Sequence, residues 1–286
     1  VPERVHSAAL MTHKAPSVSE GALNKVLALL RNEGVEVHLP PGERGKHPEV
    51  FAGERHVCCR SSREEVSKAD LCLVLGGDGT MLRAFRYTQG LGVPVLGINL
   101  GNVGFFATMR PDSVSEELPV VIAGDYEVYP LAGLEASLDS VIHSAINDIV
   151  LIRHQEGGVC HLSYSLNDVN MFQCRADGLV TATPAGSSAY NLALGGPILG
   201  PGVGGYVVSL IAPHTLKSRP VVAADTDTLR ITNESPHEAA AVMVDGMKVG
   251  QLNPEESMVV RMKRELAQVA FSKGDSFYGH FRDRFL

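Results

Sequence analysis

The stretch DLCLVLGGDGT, residues 70–80, decides the fold of this chain. Its first half, Asp70 to Leu75, is a short apolar run that reads as a strand buried on both faces, as strands of a parallel sheet are. Three glycines then frame Asp78, and a helix is expected from about Thr80 to Tyr87. Strand, glycine turn and helix start in succession make an anion-binding arrangement. Backbone amides can approach a polyphosphate closely, and the helix N-terminus adds partial positive charge. Asp78 is the odd member. A carboxylate among such amides repels phosphate unless it has a task, such as accepting a proton from an attacking hydroxyl or meeting Mg²⁺. A bare Gly-Asp-Gly would read as a tight turn with an aspartate helix cap; the strand before it and the helix after it shift the reading to function. The loop is neither a Walker A motif, since no G-K-[ST] follows, nor a Rossmann G-x-G-x-x-G.

Working outward, Val5 to Met11, Val35 to Leu39 and Val95 to Asn99 read as further strands. Leu23, Val26, Leu27 and Leu30 fall at i, i+3, i+4 and i+7, which predicts an amphipathic helix starting near Ser19. Val114, Leu118, Val121 and Ile122 make a second stripe. Residues 1–124 are therefore expected to form an α/β domain with a parallel sheet, carrying the GGDGT loop. After about Asp125 helical periodicity is scarce. Ala145 to Arg153, His161 to Phe172, Tyr206 to Ile211, Thr228 to Thr232 and Ser257 to Lys263 read as β segments, the last alternating as a half-solvated antiparallel strand would. Residues 125–270 are expected to be a mainly β domain, and 271–286 a tail returning to the first domain.

Twenty-five basic against thirty-two acidic residues give a net charge of −7, which argues against a nucleic-acid or anionic-membrane partner. An anionic substrate must then be held by local amides and a few cations. Cys58, Cys59, Cys72, Cys160 and Cys174 are odd in number and lack C-x-x-C spacing, so reduced thiols are expected rather than disulfides or zinc ligands. No residues are assigned as metal ligands. No apolar run approaches the ~20 residues that span a bilayer, and Val1 to Lys14 lacks the pattern of a signal peptide. A cytoplasmic protein is expected.

A second constellation begins at Asp177-Gly178 and continues through Ala182-Thr183-Pro184-Ala185-Gly186-Ser187-Ser188-Ala189-Tyr190. Hydroxyls and amides around a turn, with an aromatic face at the end, suit a sugar or nucleotide crevice. Ser, Gly and Pro also build ordinary surface loops, and composition leaves both readings open. His214 could neutralise a phosphate but reads more readily as a structural turn residue, and Arg175 reads as either a pyrophosphate contact or a solvated strand residue. Asp245-Gly246 reads as a hairpin turn. Met243, Met247, Met258 and Met262 read as filling.

These motifs together resemble the NAD kinase family. The resemblance is carried by the strand plus GGDGT, by Gly97-Ile98-Asn99-Leu100-Gly101-Asn102-Val103-Gly104-Phe105, by Asn147-Asp148, and by the run from Asp177 to Leu199, in the family's order. Pro213-His214-Thr215-Leu216 with Arg219-Pro220 is similar to a further family segment. The likeness runs from about Asp70 to Val222. GGDGT alone is shared with diacylglycerol and sphingosine kinases; the ATPxGSxAY-type run joined to it is far more specific.

The resemblance implies a Rossmann-like N-terminal domain of the NAD kinase and diacylglycerol kinase type, followed by a β C-terminal domain. It implies transfer of a phosphoryl group from ATP, or inorganic polyphosphate, to the 2′-hydroxyl of the adenosine ribose of NAD, giving NADP, with Mg²⁺ or another divalent cation. Asp78 would be the base or orienter of that hydroxyl, while Gly76, Gly77, Gly79 and Thr80 would help hold phosphates. Phe105 would lie beside the adenosine half, Asn147 and Asp148 would grip adenine and ribose, and Asp177 would lie near the nicotinamide end. Ser188, Ala189 and Tyr190 would line the nucleotide pocket. A homodimer or homotetramer is also implied. The chain departs from the family at three places. Asp148 stands for the usual Glu and reaches ~1.5 Å less, one carbon–carbon bond. Ala185 stands for Thr or Ser, and Ser188 for Thr. Two other functions compete: a lipid kinase of the diacylglycerol type, which the ATPAGSSAY run and the net charge oppose, and a non-catalytic NAD(P)-binding regulator, which intact Asp78 opposes.

Overall fold

The computed structural model describes residues 3–52, 54–58, 62–101, 104–154, 158–274, 279 and 282. Cys59, Asn102, Val103 and most of the tail after Gly274 lie outside them. The chain divides into two compact units, Val1–Pro130 with Ala267–Leu286, and Leu131–Leu266.

The first unit is built on short parallel strands: β1 (Ser7–Thr12), β2 (Glu36–His38), β3 (Val57–Cys58), β4 (Leu71–Leu75), β5 (Val95–Ile98) and β6 (Ala107–Met109). Helices α1 (Pro16–Asn32), α2 (Glu43–Lys46), α3 (Arg63–Val66), α4 (Asp78–Thr88) and α5 (Val114–Ile122) connect or flank them. All five residues of β4 are buried, as its continuous apolar run predicts. Leu23, Val26, Leu27 and Leu30 of α1 are buried, as are Val114, Leu118, Val121 and Ile122 of α5. The α1 helix begins three residues earlier than expected. Pro16 occupies its first turn, where a fixed φ suits a helix start and the missing N–H costs no bond. Ser19 is consequently inside the helix and fully buried.

Strand order across the first unit is β3-β2-β1-β4-β5, all parallel. The chain therefore builds outward from β1 through β2 and β3, then returns to the other side of β1 with β4. That reversal lies between β1 and β4, and in open α/β sheets ligands bind at the carboxyl ends of the strands at such a point. GGDGT leaves the carboxyl end of β4.

The second unit is antiparallel. One sheet runs β14 (Val221–Ala224), β13 (Gly205–Ile211), β12 (Gly178–Ala182), β9 (Asp148–Arg153), β16 (Ala240–Val244), β17 (Met247–Leu252). The other contains β11 (Val169–Ala176), β10 (Cys160–Leu166), β15 (Thr228–Asn233) and the first residues of β18 (Ser257–Ser272). Strand β7 (Tyr126–Leu138) pairs with β8 (Val141–Ala145). Leu151, Leu179, Tyr206 and Val208 of the six-stranded sheet share one core with Leu162, Leu229, Ile231, Met258 and Val260 of the other. The only described helices here are the short Tyr190–Ala193 (α6) and the 3₁₀ turn Gly186–Ser188.

Two expected β segments prove to be broken. His161 to Phe172 is interrupted by a two-residue turn at Asn167-Asp168, both at positive φ (48° and 65°), joining β10 to β11. This is the hairpin geometry that matches strand twist, and Asn and Asp tolerate it. Ala145 to Arg153 breaks at Ile146-Asn147, for a reason found in the site. Asp245-Gly246 makes the expected hairpin turn, between β16 and β17, with φ of 45° and 75°.

Candidate active site

In the first unit, the strand ends set the geometry. Thr12 of β1 pairs with Leu75 of β4, and Leu75 with Ile98 of β5, so three carboxyl ends lie in register. Gly76 N–H donates to the Ile98 carbonyl at 3.0 Å, fixing the start of the loop. Helix α4 then begins at Asp78, two residues before the expected Thr80, with Gly77 as its N-cap. A Cβ at Gly77 or Gly79 would meet nothing within 4 Å, so packing does not require glycine at either position.

Asp78 is held by backbone amides at and just before the start of β6. Phe105 N–H donates to both carboxylate oxygens, at 2.9 and 2.7 Å, and Phe106 N–H donates to Oδ1 at 3.0 Å. Ala107 N–H adds a longer contact of 3.4 Å. A Cβ on Gly104 would lie 2.3 Å from Asp78 Oδ1. Charge-assisted bonds of this kind are among the stronger ones available to a carboxylate. They fix the direction of the Asp78 side chain at the phosphate-type loop. The Phe105 ring is buried, meeting Phe106 edge-on at 5.8 Å, and Phe106 meets Phe85 of α4 at 5.1 Å.

At the carboxyl end of β1 sits a cluster that the sequence reading did not single out. The buried carboxylate of Glu43 accepts from Thr12 N–H (2.9 Å), the Thr12 hydroxyl (2.7 Å), Lys46 Nζ (2.8 Å) and an Arg83 guanidinium nitrogen (3.0 Å). A buried charge persists only when paired in this way. The cluster fixes α2 and α4 on the end of β1, and Arg83 lies one helical turn after Gly79.

In the second unit, Asn147 and Asp148 sit where β8 gives way to β9. The carboxylate of Asp245, in the β16–β17 turn, accepts from the amides of Ile146 (3.1 Å), Asn147 (2.7 Å) and Asp148 (3.3 Å). Those three amides are diverted from a ladder to one side chain, and the expected strand breaks there. Sequence reading gave Asp245 only a turn role. Its separation of 97 to 99 residues from these partners has no local signature.

Period-two alternation then sorts β9. Ile149 and Leu151 face the core, while Asp148, Val150 and Ile152 line a pocket of about 470 Å³. Ala241, Met243 and Gly246 extend its floor, and Arg153, His154, Lys248 and Tyr190 complete the lining. Asp148 is buried, and burial, followed by the nearby Asp245 charge, pushes its carboxyl up to about 7. The Oδ1 atom of Asn147 is buried with no hydrogen-bond partner among the described residues.

The TATPAGSSAY run docks on the same turn. Thr183 N–H donates to the Asn147 carbonyl (2.9 Å), and the Thr183 hydroxyl donates to the Ile146 carbonyl (2.6 Å). A Cβ on Gly186 would meet the Asn147 carbonyl oxygen at 2.0 Å, so only glycine permits this approach. Asn191, fully buried, donates to the Ser187 and Pro197 carbonyls and accepts from the Ser209 hydroxyl. The Ser188 hydroxyl donates to the Ala185 carbonyl (3.0 Å), and Ala189 and Tyr190 are exposed beside it. Asp177 connects to the pocket through Arg153, whose Nε lies 2.7 Å from its Oδ1. Arg175 is exposed on β11 and is not among the pocket-lining residues; its carbonyl accepts from the amide of His214, also exposed.

Comparison with known proteins agrees with both halves. Residues 31–126 match the family model of the ATP-NAD kinase N-terminal domain, and residues 146–270 that of the C-terminal domain. The chain belongs to the NAD kinase family. It is 33% identical to an NAD kinase of Methylibium petroleiphilum, over 97% of this chain and 93% of that protein. It is 30% identical to one from Methanothermobacter thermautotrophicus, over 92% and 90% respectively. Among solved structures, the fold matches yeast NADH kinase complexed with NADH (TM-score 0.88, 22% identity, 99% of this chain and 88% of that one). It also matches an Archaeoglobus fulgidus NAD kinase in complex with ATP (TM-score 0.73, 23% identity, 98% and 97%). This chain is a phosphotransferase of that family, with an α/β domain followed by an antiparallel β sheet.

Proposed function

We propose that the chain phosphorylates the 2′-hydroxyl of the adenosine ribose of NAD, with Asp78 as the base or orienter of that hydroxyl. One observation carries this reading: a carboxylate fixed by three backbone amides at the start of α4, beside the point where strand order reverses. A ribose hydroxyl is a poor nucleophile until its proton has a destination. As the 2′-oxygen forms its bond to the terminal phosphorus of ATP or polyphosphate, the bond from that phosphorus to the bridging oxygen breaks. The hydroxyl proton passes to Asp78, and ADP or a shortened polyphosphate leaves. The open flanks of Gly77 and Gly79 leave room for phosphate oxygens against the helix start.

The donor set fits a hard divalent ion such as Mg²⁺, which takes oxygen ligands and usually one or two carboxylates with substrate phosphates. Donor phosphate oxygens would hold it, leaving the Asp78 carboxylate to take the hydroxyl proton, and when bound it neutralises charge on the transferring group. In the second unit the apolar floor of Val150, Ile152, Ala241 and Met243 suits a purine face, and Tyr190 adds an aromatic wall. Asp148, which lines the pocket, would accept from ribose hydroxyls.

The reading is tested by supplying NAD or NADH with ATP or polyphosphate, with and without Mg²⁺, and detecting product with an NADP-specific dehydrogenase. Mg²⁺-dependent 2′-phosphorylation is expected. Dinucleotide binding without product, or phosphorylation of diacylglycerol in its place, contradicts it.

A further inference from the structure

Strands β2 and β3 lie at the edge of the parallel sheet, with Val37 paired to Val57 and His38 to Cys58. Val37 and Val57 are buried, so alternation turns Glu36, His38 and Cys58 to the opposite face. Glu36 and Cys58 are exposed and His38 is half-buried. One ligand atom from each, a carboxylate oxygen, an imidazole nitrogen and Sγ, lies within 4.8 Å of the other two. Cys58 Sγ is 3.6 Å from Glu36 Oε1. Two such atoms on a tetrahedral zinc ion, with bonds of about 2.3 and 2.0 Å, stand roughly 3.5 Å apart.

We propose that Glu36, His38 and Cys58 form a zinc site on the outer face of β2 and β3, separate from the Mg²⁺-nucleotide chemistry. The donors are one oxygen, one nitrogen and one sulfur, the mixed set that suits zinc and not Mg²⁺ or Ca²⁺. The thiolate and carboxylate balance the ion's charge, and solvent takes the fourth position. Two of the three ligands sit at strand register positions, so the backbone has already placed them. The segment between β2 and β3 carries α2, whose Glu43 grips the end of β1. An ion joining His38 to Cys58 closes that segment at its base, so binding would stabilise it, although the open fourth position sets the site apart from a closed four-ligand structural zinc. The lack of C-x-x-C spacing hides it in the sequence, because an i, i+2 strand pair and a cross-strand partner replace the usual motif.

The test uses the full chain stripped with chelator and titrated with Co²⁺, then Zn²⁺. A thiolate-to-cobalt charge-transfer absorption saturating at one ion per chain is expected, with Zn²⁺ displacing it and Mg²⁺ not. Cys58→Ser should abolish the band, and His38→Ala should weaken binding at least tenfold. Cys59→Ser and Cys174→Ser should leave it. Saturating zinc, about 100-fold above Kd, should raise Tm by about 5 °C in the parent and not in Cys58→Ser. Mg²⁺-dependent phosphotransfer by Cys58→Ser at the parent rate would show that this variant folds. No band in the parent chain, or a band that survives Cys58→Ser, overturns the proposal.

Discussion

At the scale of single residues, two aspartates are set to opposite tasks by their surroundings. Asp78 is held as a carboxylate acceptor by backbone amides, so Asp78→Asn removes the proton acceptor and turns an amide NH₂ toward backbone donors. Turnover should fall by about 10³-fold, with a stability loss of about 1–3 kcal/mol from the mispaired amide; kcat and denaturant unfolding measure the two parts. Asp148 is buried, and its carboxyl is raised to about 7 from an ordinary 3.8. Between those values the native state holds a proton that the unfolded state has released, so this group makes stability fall as pH rises from about 4 to 7 and level off above. Asp148→Asn should therefore stabilise the protein at pH 8 relative to the parent, by up to about 3–4 kcal/mol, and have little effect at pH 4. Dinucleotide binding should run the other way. Ribose hydroxyls favour the ionised acceptor, so NAD affinity should rise about tenfold from pH 5.5 to 8, and be flat in Asp148→Asn, by calorimetric titration. An affinity independent of pH in the parent would remove Asp148 from the ribose contact.

At the scale of elements, glycines separate what the fold needs from what the chemistry needs. Gly104 has no room for a Cβ beside Asp78, whereas Gly77 and Gly79 have open space. Gly104→Ala should displace the aspartate, lowering kcat at least tenfold with dinucleotide affinity kept. Gly79→Ala should leave stability unchanged or raised by up to about 1 kcal/mol, since alanine favours a helix, while raising KM for the phosphoryl donor. Equal loss of activity and stability in both variants would show that the loop is only structural. The same scale shows what sequence could and could not display. The continuous apolar run before GGDGT declared a buried parallel strand, and spacing declared α1 and α5, because those signals are local. The Asp245 clamp, the Glu43–Arg83 pair and the Arg153–Asp177 bridge were hidden because each joins residues distant in sequence. Once β9 was known to start at Asp148, alternation alone would have put Val150 and Ile152 beside it.

At the scale of the whole molecule, each unit carries its own core. Leu73 belongs to the first and Leu179 to the second, and both are buried. Leu73→Ala and Leu179→Ala should each cost about 2–5 kcal/mol, and amide exchange should quicken first in the unit that carries the substitution. The net charge of −7 gives no long-range attraction for a polyanion, so phosphate recognition must be local, at the helix start and the cations near it. All of this converges on where one carboxylate meets one hydroxyl, and a crystal structure of the chain with NAD bound measures that directly. The account predicts the adenosine 2′-oxygen about 2.6–3.2 Å from the Asp78 carboxylate, or joined to it through a single water or cation. A 2′-oxygen remote from Asp78, with nothing linking the two, would contradict it.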